Sequence, residues 1–168
     1  FVVVYISFMG YAGDRVTAWL HPELDPGDTG YQILQSLYAI GSGGLFGLGY
    51  GKSRQKYLYL PFQYNDYIFA VICEELGLVG AMAIVALFAV TILRGYWIAL
   101  NARDRFSTVL AAGLVTLIAV QTILNLCVVT NLLPSTGIAL PFFSYGGTAL
   151  AVNLGEMGIV LGISRGGN

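Results

Sequence analysis

Charge is what this chain has least of. Lys and Arg number 8 and Asp and Glu 9, only 10% of 168 residues, the net charge is −1, and there is 1 histidine. Without a basic stripe to neutralise phosphates, nucleic acid is excluded as a partner. The lone His21, in Leu20-His21-Pro22, has no second histidine or paired cysteine with which to hold zinc. No serine–histidine–acid set assembles around it either. Cys73 and Cys127 stand in apolar stretches without metal-ligand spacing and read as small buried hydrophobes.

What the chain does have is hydrocarbon. Hydrophobic residues make up 57% of it and the mean hydropathy is +0.74, outside ordinary soluble usage. Neither Phe106–Gly155 nor Leu76–Leu93 contains an Asp, Glu, Lys, Arg or His. Runs of about 18 or more apolar residues are membrane spans. The expected fold is therefore an all-α polytopic membrane protein. Three spans are expected at Tyr67–Leu93, Thr108–Val129 and Ala149–Ile163. Phe1–Gly13 makes about 20 Å of helix against a hydrocarbon core of ~30 Å. It lacks the basic start and cleavage site of a signal peptide, so it is expected to be the latter half of a span, and the chain part of a larger protein.

The short loops set the orientation. Residues 94–107 carry Arg94, Arg103 and Arg105, whereas residues 130–148 carry neither Lys nor Arg. The positive-inside rule then places 94–107 and the 164–168 tail in the cytoplasm, and 14–66 and 130–148 outside.

The long outer segment is too apolar for disorder. Pro26 and Gly27, with Asp28 or Thr29 as cap, predict a short helix beginning at Gly30. Its apolar stripe of Ile33, Leu34, Leu37 and Tyr38 fits either the membrane interface or packing on the spans. The following Gly41–Ser53 stretch ends in Gly51-Lys52-Ser53, as a nucleotide-binding loop does. Phe46 stands where that motif needs glycine, however, and no buried strand precedes it. Two readings remain for this segment. Its amides, with Lys52, Arg54 and Lys56, receive an anion such as a lipid diphosphate, or it is a flexible turn with solvated cations.

Asp66 marks the junction of this loop with the next span, in Asn65-Asp66-Tyr67-Ile68-Phe69-Ala70. A carboxylate there has water on one side and hydrocarbon on the other, the setting for a base acting on a lipid-borne polar substrate. Glu74 follows at roughly 80° around the helix and Glu75 at about 180°. Intramembrane acids face a cavity or a partner, so Glu74 either borders the Asp66 cavity or pairs structurally. Pro134 and Pro141 break the uncharged run, and Ser135, Thr136 and Gly137 lie between them. Such a re-entrant loop is expected to be buried in protein or to line a cavity opposite Asp66. Glu156, within the last span, receives no catalytic role.

Several motifs in register carry a resemblance along nearly the whole chain. They are Gly30-Tyr31-Gln32 with Gln35-Ser36, Ala39-Ile40-Gly41-Ser42-Gly43-Gly44, Ser53-x-Gln55-Lys56, Asn65–Ala70, Glu74-Glu75-Leu76-Gly77, Leu133–Ile138, Leu140-Pro141-Phe142 and Ser144-Tyr145-Gly146-Gly147. In these the chain resembles the C-terminal part of the shape, elongation, division and sporulation (SEDS) family of FtsW, RodA and SpoVE.

The resemblance implies helices seven to ten of a ten-helix fold in the bacterial cytoplasmic membrane. It implies peptidoglycan glycosyltransferase activity on lipid II at the outer face, and a class B penicillin-binding protein as partner. Asp66 matches the family's essential aspartate. The chain departs from the family where Phe62 follows Leu60-Pro61 and where Tyr64-Asn65 precede Asp66, so neither a glutamate nor a histidine at those positions can assist. Polymerisation needs a base for the acceptor hydroxyl and positive charge for the departing diphosphate. The expected catalytic residue is Asp66. Lys52, Ser53, Arg54, Gln55, Lys56, Glu74, Ser135 and Thr136 are the expected substrate contacts, and a divalent cation (Mg or Mn) can share the charge. A lipid-precursor flippase would instead need essential acids near the midplane, and a non-catalytic scaffold would not need Asp66.

Overall fold

The computed structural model describes residues 15–24, 29–52 and 66–166, and the regular elements among them are all helical, with no strand. Residues 15–20 form the described part of α1, followed by a 3-10 turn, Pro22–Leu24. Then come α2 (Thr29–Ser42), α3 (Ile68–Leu100), α4 (Arg105–Val129) and α5 (Gly147–Gly166). The last three are long and apolar enough to cross a membrane. At 1.5 Å per residue they measure about 50, 37 and 30 Å.

The helix α3 runs on past Leu93 to Leu100, so residues 101–104 alone connect it to α4. Asp104 caps α4: its Oδ2 accepts from the Ser107 amide at 3.0 Å and its Oδ1 from the Ser107 hydroxyl at 2.8 Å. These bonds, the backbone one foremost, hold the Asp104 carboxyl below the ordinary carboxylate range. Ala99, Ala111, Val115 and Val160 pack together at this end, which brings Arg103, Arg105 and Arg165 to one end of the bundle.

The other end holds the larger core. Ala39 of α2, Phe69, Ala70, Cys73, Ala81 and Phe88 of α3, and Val129 of α4 pack with Tyr67 and Leu140. Thus α2 packs on the spans. Its inward face differs from the expected stripe. Ile33, Ser36 and Ala39 are buried, whereas Tyr38 is exposed. Ser36 can face inward because its hydroxyl reaches the Ile33 oxygen at 3.0 Å and the Val129 oxygen at 3.1 Å, which satisfies a polar group that burial would otherwise penalise.

The glycine-rich segment has a structural role that neither reading of its sequence included. At Gly77 (φ 69°, ψ −169°) the helix α3 breaks. An uninterrupted helix would pair the Leu78 and Val79 amides with the Glu74 and Glu75 carbonyls. Instead, Leu78 and Val79 donate to the Gly44 and Leu45 carbonyls at 2.9 and 3.2 Å, while Leu48 and Gly49 donate to the Glu74 and Glu75 carbonyls at 2.9 and 3.0 Å. Four cross-bonds replace the two that the break removes. The Leu48 and Gly49 amides therefore do not serve as anion donors.

Candidate functional site

Asp66 lies in a turn immediately before α3, at the end of the bundle opposite Arg103, Arg105 and Arg165. Its carboxyl is half-buried and points at the loop joining α4 to α5. A side-chain carbon built on Gly137 would come 3.7 Å from Asp66 Oδ2. Gly137 has φ +71°, a conformation that suits glycine.

That loop is folded into the protein. The helix α4 ends with Asn131 in the left-handed region (φ 58°), and the Leu132 amide turns back to the Cys127 oxygen at 2.8 Å, a C-terminal capping arrangement. Further on, Leu140 and Pro141 are fully buried, and the Ser144 hydroxyl accepts from the Leu140 amide at 2.7 Å. Behind Ile138 a cavity of about 440 Å³ opens between the loop, Gln121 of α4 and Asn153 of α5.

Two side chains of α1 clamp the loop from outside. Arg15 Nη1 donates to the Ser135 oxygen at 2.8 Å and Trp19 Nε1 to the Asn131 oxygen at 3.0 Å. The two residues are one helical turn apart and so share a face. Burial pushes the Asp66 carboxyl above the ordinary range, and the positive charge of Arg15 pulls it partly back. Tyr67 next to it is pushed up to about 12, by burial first and by the charge of Asp66 second, with Arg15 opposing. Its phenol therefore stays protonated at neutral pH.

From inside, Asn125 of α4 reaches both pieces of the site. Its Nδ2 donates to the Asp66 oxygen and to the Ile138 oxygen, each at 2.8 Å.

Of the residues expected from sequence, Asp66, Ser135 and Thr136 come together at this end. Lys52 is exposed on the glycine-rich segment, its amide bonded to the Gly49 oxygen at 3.1 Å. Ser53, Arg54, Gln55 and Lys56 lie outside the described residues. Glu74 is 1% exposed and sits beneath the glycine-rich segment, inside the packing rather than on the surface that Asp66 opens onto. Glu75 and Glu156 are buried too, each with one carboxyl oxygen lacking a hydrogen-bond partner among the described residues.

Sequence reasoning missed Arg15 and Asn125 as parts of the site. Asn125 carried a signal, because an amide in an otherwise apolar span needs partners. Arg15 carried only its place one turn before Trp19. Among the described residues no group of three or more His, Cys, Asp or Glu could hold a metal ion. Arg15 supplies positive charge to Asp66.

Three apolar spans, with loops folded over an acidic residue at one end, define a multi-pass helical membrane protein. The family model of FtsW, RodA and SpoVE, described as "Cell cycle protein", matches residues 1–168. The chain belongs to this family. It is 50% identical over 155 residues to stage V sporulation protein E of Bacillus subtilis, covering 92% of this chain and 42% of that one. It is 45% identical over 166 residues to the probable peptidoglycan glycosyltransferase FtsW of Trichlorobacter lovleyi, covering 99% of this chain and 44% of the relative. Among solved structures, a chain of a peptidoglycan synthase complex superposes with a TM-score of 0.77 at 28% identity, covering 99% of this chain and 45% of that one. A mutant of the rod shape determining protein RodA of Thermus thermophilus superposes with a TM-score of 0.61 at 32% identity, covering 77% and 39%. The chain thus spans less than half the length of these relatives.

Proposed function

We propose that this chain forms the catalytic end of a peptidoglycan glycosyltransferase that polymerises lipid II at the outer face of the bacterial cytoplasmic membrane. Asp66 is the general base. The observation that carries the reading is the Asp66 carboxyl itself, half-buried at a loop–span junction and facing the Gly137 backbone. Polymerisation joins the 4-hydroxyl of an acceptor sugar to C1 of a sugar that leaves as undecaprenyl diphosphate. The leaving group is already activated, so a base within reach of the hydroxyl is the main requirement. Burial raises the basicity of Asp66, and the positive charge of Arg15 partly offsets that rise.

The exposed Lys52, with Arg54 and Lys56 further along the same segment, would meet the diphosphate. Ser53, Gln55, Ser135 and Thr136 would line the sugar path. Glu74, being buried, belongs to the fold instead. The family resemblance supplies the class B penicillin-binding protein as partner.

The test is Asp66→Asn in the full-length protein with its transpeptidase partner, given labelled lipid II and scored for glycan chains. Loss of a general base should lower the rate by about 10²–10⁴, and undiminished polymerisation would refute the assignment. A flippase reading draws on the broken helix at Gly77 and the buried Glu156, both transporter features. It requires Glu156→Gln to abolish function and Asp66→Asn to spare it, the reverse of the polymerase pattern.

A further inference from the structure

We infer that Asn125 is a positioning residue, whose side-chain amide ties the Asp66 turn to the Ile138 backbone and so holds the Asp66 carboxyl against Gly137. The inference rests on the reading of Asp66 as the base.

Asp66 sits in a turn before α3, and Gly137 and Ile138 sit in a loop without regular secondary structure. Neither piece has a ladder of backbone bonds to fix it relative to the other. Asn125 lies on a regular helix between them and is 0% exposed. Both hydrogens of one planar amide are used, on the Asp66 and Ile138 oxygens, each at 2.8 Å. Because that amide is planar, the directions of its two bonds are fixed relative to each other, and so is the spacing of the two backbones. Arg15 and Trp19 restrain the same loop from outside at Ser135 and Asn131. Neither of those two bonds reaches the Asp66 backbone, whereas those of Asn125 join both pieces. An apolar residue of similar size would fill the space and take that donor away from both carbonyls.

The experiment measures lipid II polymerisation by the full-length protein across pH, with rates normalised to the folded fraction from size-exclusion profiles. Asn125→Leu keeps the volume and removes both donors. Asn125→Gln keeps an amide, displaced by one methylene, and serves as the reading if the leucine variant does not fold. Misplacing a reacting group by about 1 Å can cost on the order of a hundredfold. The expected result for Asn125→Leu is therefore a fall in kcat of roughly tenfold to a hundredfold at unchanged KM, with the acid limb of the pH profile displaced. Asn125→Gln should keep the larger share of activity. A folded Asn125→Leu, or Asn125→Gln in its place, with wild-type kcat and pH profile overturns the positioning role. Asp66→Asn measured alongside separates the two failures: if it polymerises normally the base reading falls, and the positioning role with it. If it is inactive while the Asn125 variants match wild type, the positioning role alone falls.

Discussion

Gly47 and Gly77 meet backbone to backbone: a side-chain carbon built on Gly47 would lie 2.6 Å from the Gly77 nitrogen. Such a carbon on Gly77 would lie 2.6 Å from the Leu45 oxygen. Both residues also have positive φ, 75° and 69°. The close approach lets the glycine-rich segment take over the hydrogen bonds that α3 loses at its break. It also fixes where α3 passes from its first turns, which follow Asp66, to the rest of its span.

Gly77→Ala should therefore destabilise strongly. Left-handed backbone in an alanine and overpacking against backbone atoms together cost about 2–5 kcal/mol. Gly41 offers the contrast, because it is helical, belongs to α2 and has nothing within 4 Å of an added carbon. Gly41→Ala should be neutral or stabilising by up to about 1 kcal/mol. Thermal unfolding of the two variants in detergent checks the pair. Equal melting temperatures would mean that the Gly47–Gly77 contact contributes nothing to the fold.

Tyr67 is 3% exposed, and its hydroxyl is buried without a hydrogen-bond partner among the described residues. An unpaired buried hydroxyl costs about 1–3 kcal/mol. Tyr67→Phe should consequently raise stability by about 1 kcal/mol and leave polymerisation intact, because a phenol pushed up to about 12 does not exchange protons at neutral pH. A large loss of rate in a stable Tyr67→Phe protein would make the phenol part of the chemistry.

The spans were legible in the sequence because long uncharged runs permit little else. Asp66 stood out because a carboxylate at such a boundary is rare, and Leu133–Gly147 because its prolines and glycines interrupt the apolar run. Other features depend on distant partners. The inward face of α2 includes Ser36, which no hydrophobic stripe would predict, since its burial rests on the Val129 carbonyl far along the chain. The bonds from the glycine-rich segment to α3 were not legible, because the need of the Glu74 and Glu75 carbonyls for backbone donors appears only once Gly77 breaks the helix. Arg15 resembled any other loop cation until α1 was placed against Ser135.

That placement gives Arg15 a measurable electrostatic effect. Burial raises the Asp66 carboxyl and the Arg15 charge lowers it, so removing the charge leaves burial unopposed and the carboxyl rises further. The base works when ionised, so activity is lost as pH falls through its titration. Arg15→Gln should accordingly shift the acid limb of the kcat/KM profile to higher pH, with the activity lost at mildly acidic pH recovered at alkaline pH. Arg15→Lys keeps the charge but not the planar donor fork that reaches Ser135. It should hold the limb near its wild-type position while weakening the clamp on the loop. Lipid II polymerisation measured over a pH series for the two variants separates the effects. An acid limb that stays fixed in Arg15→Gln would show that Arg15 supports the loop and has no electrostatic hold on Asp66.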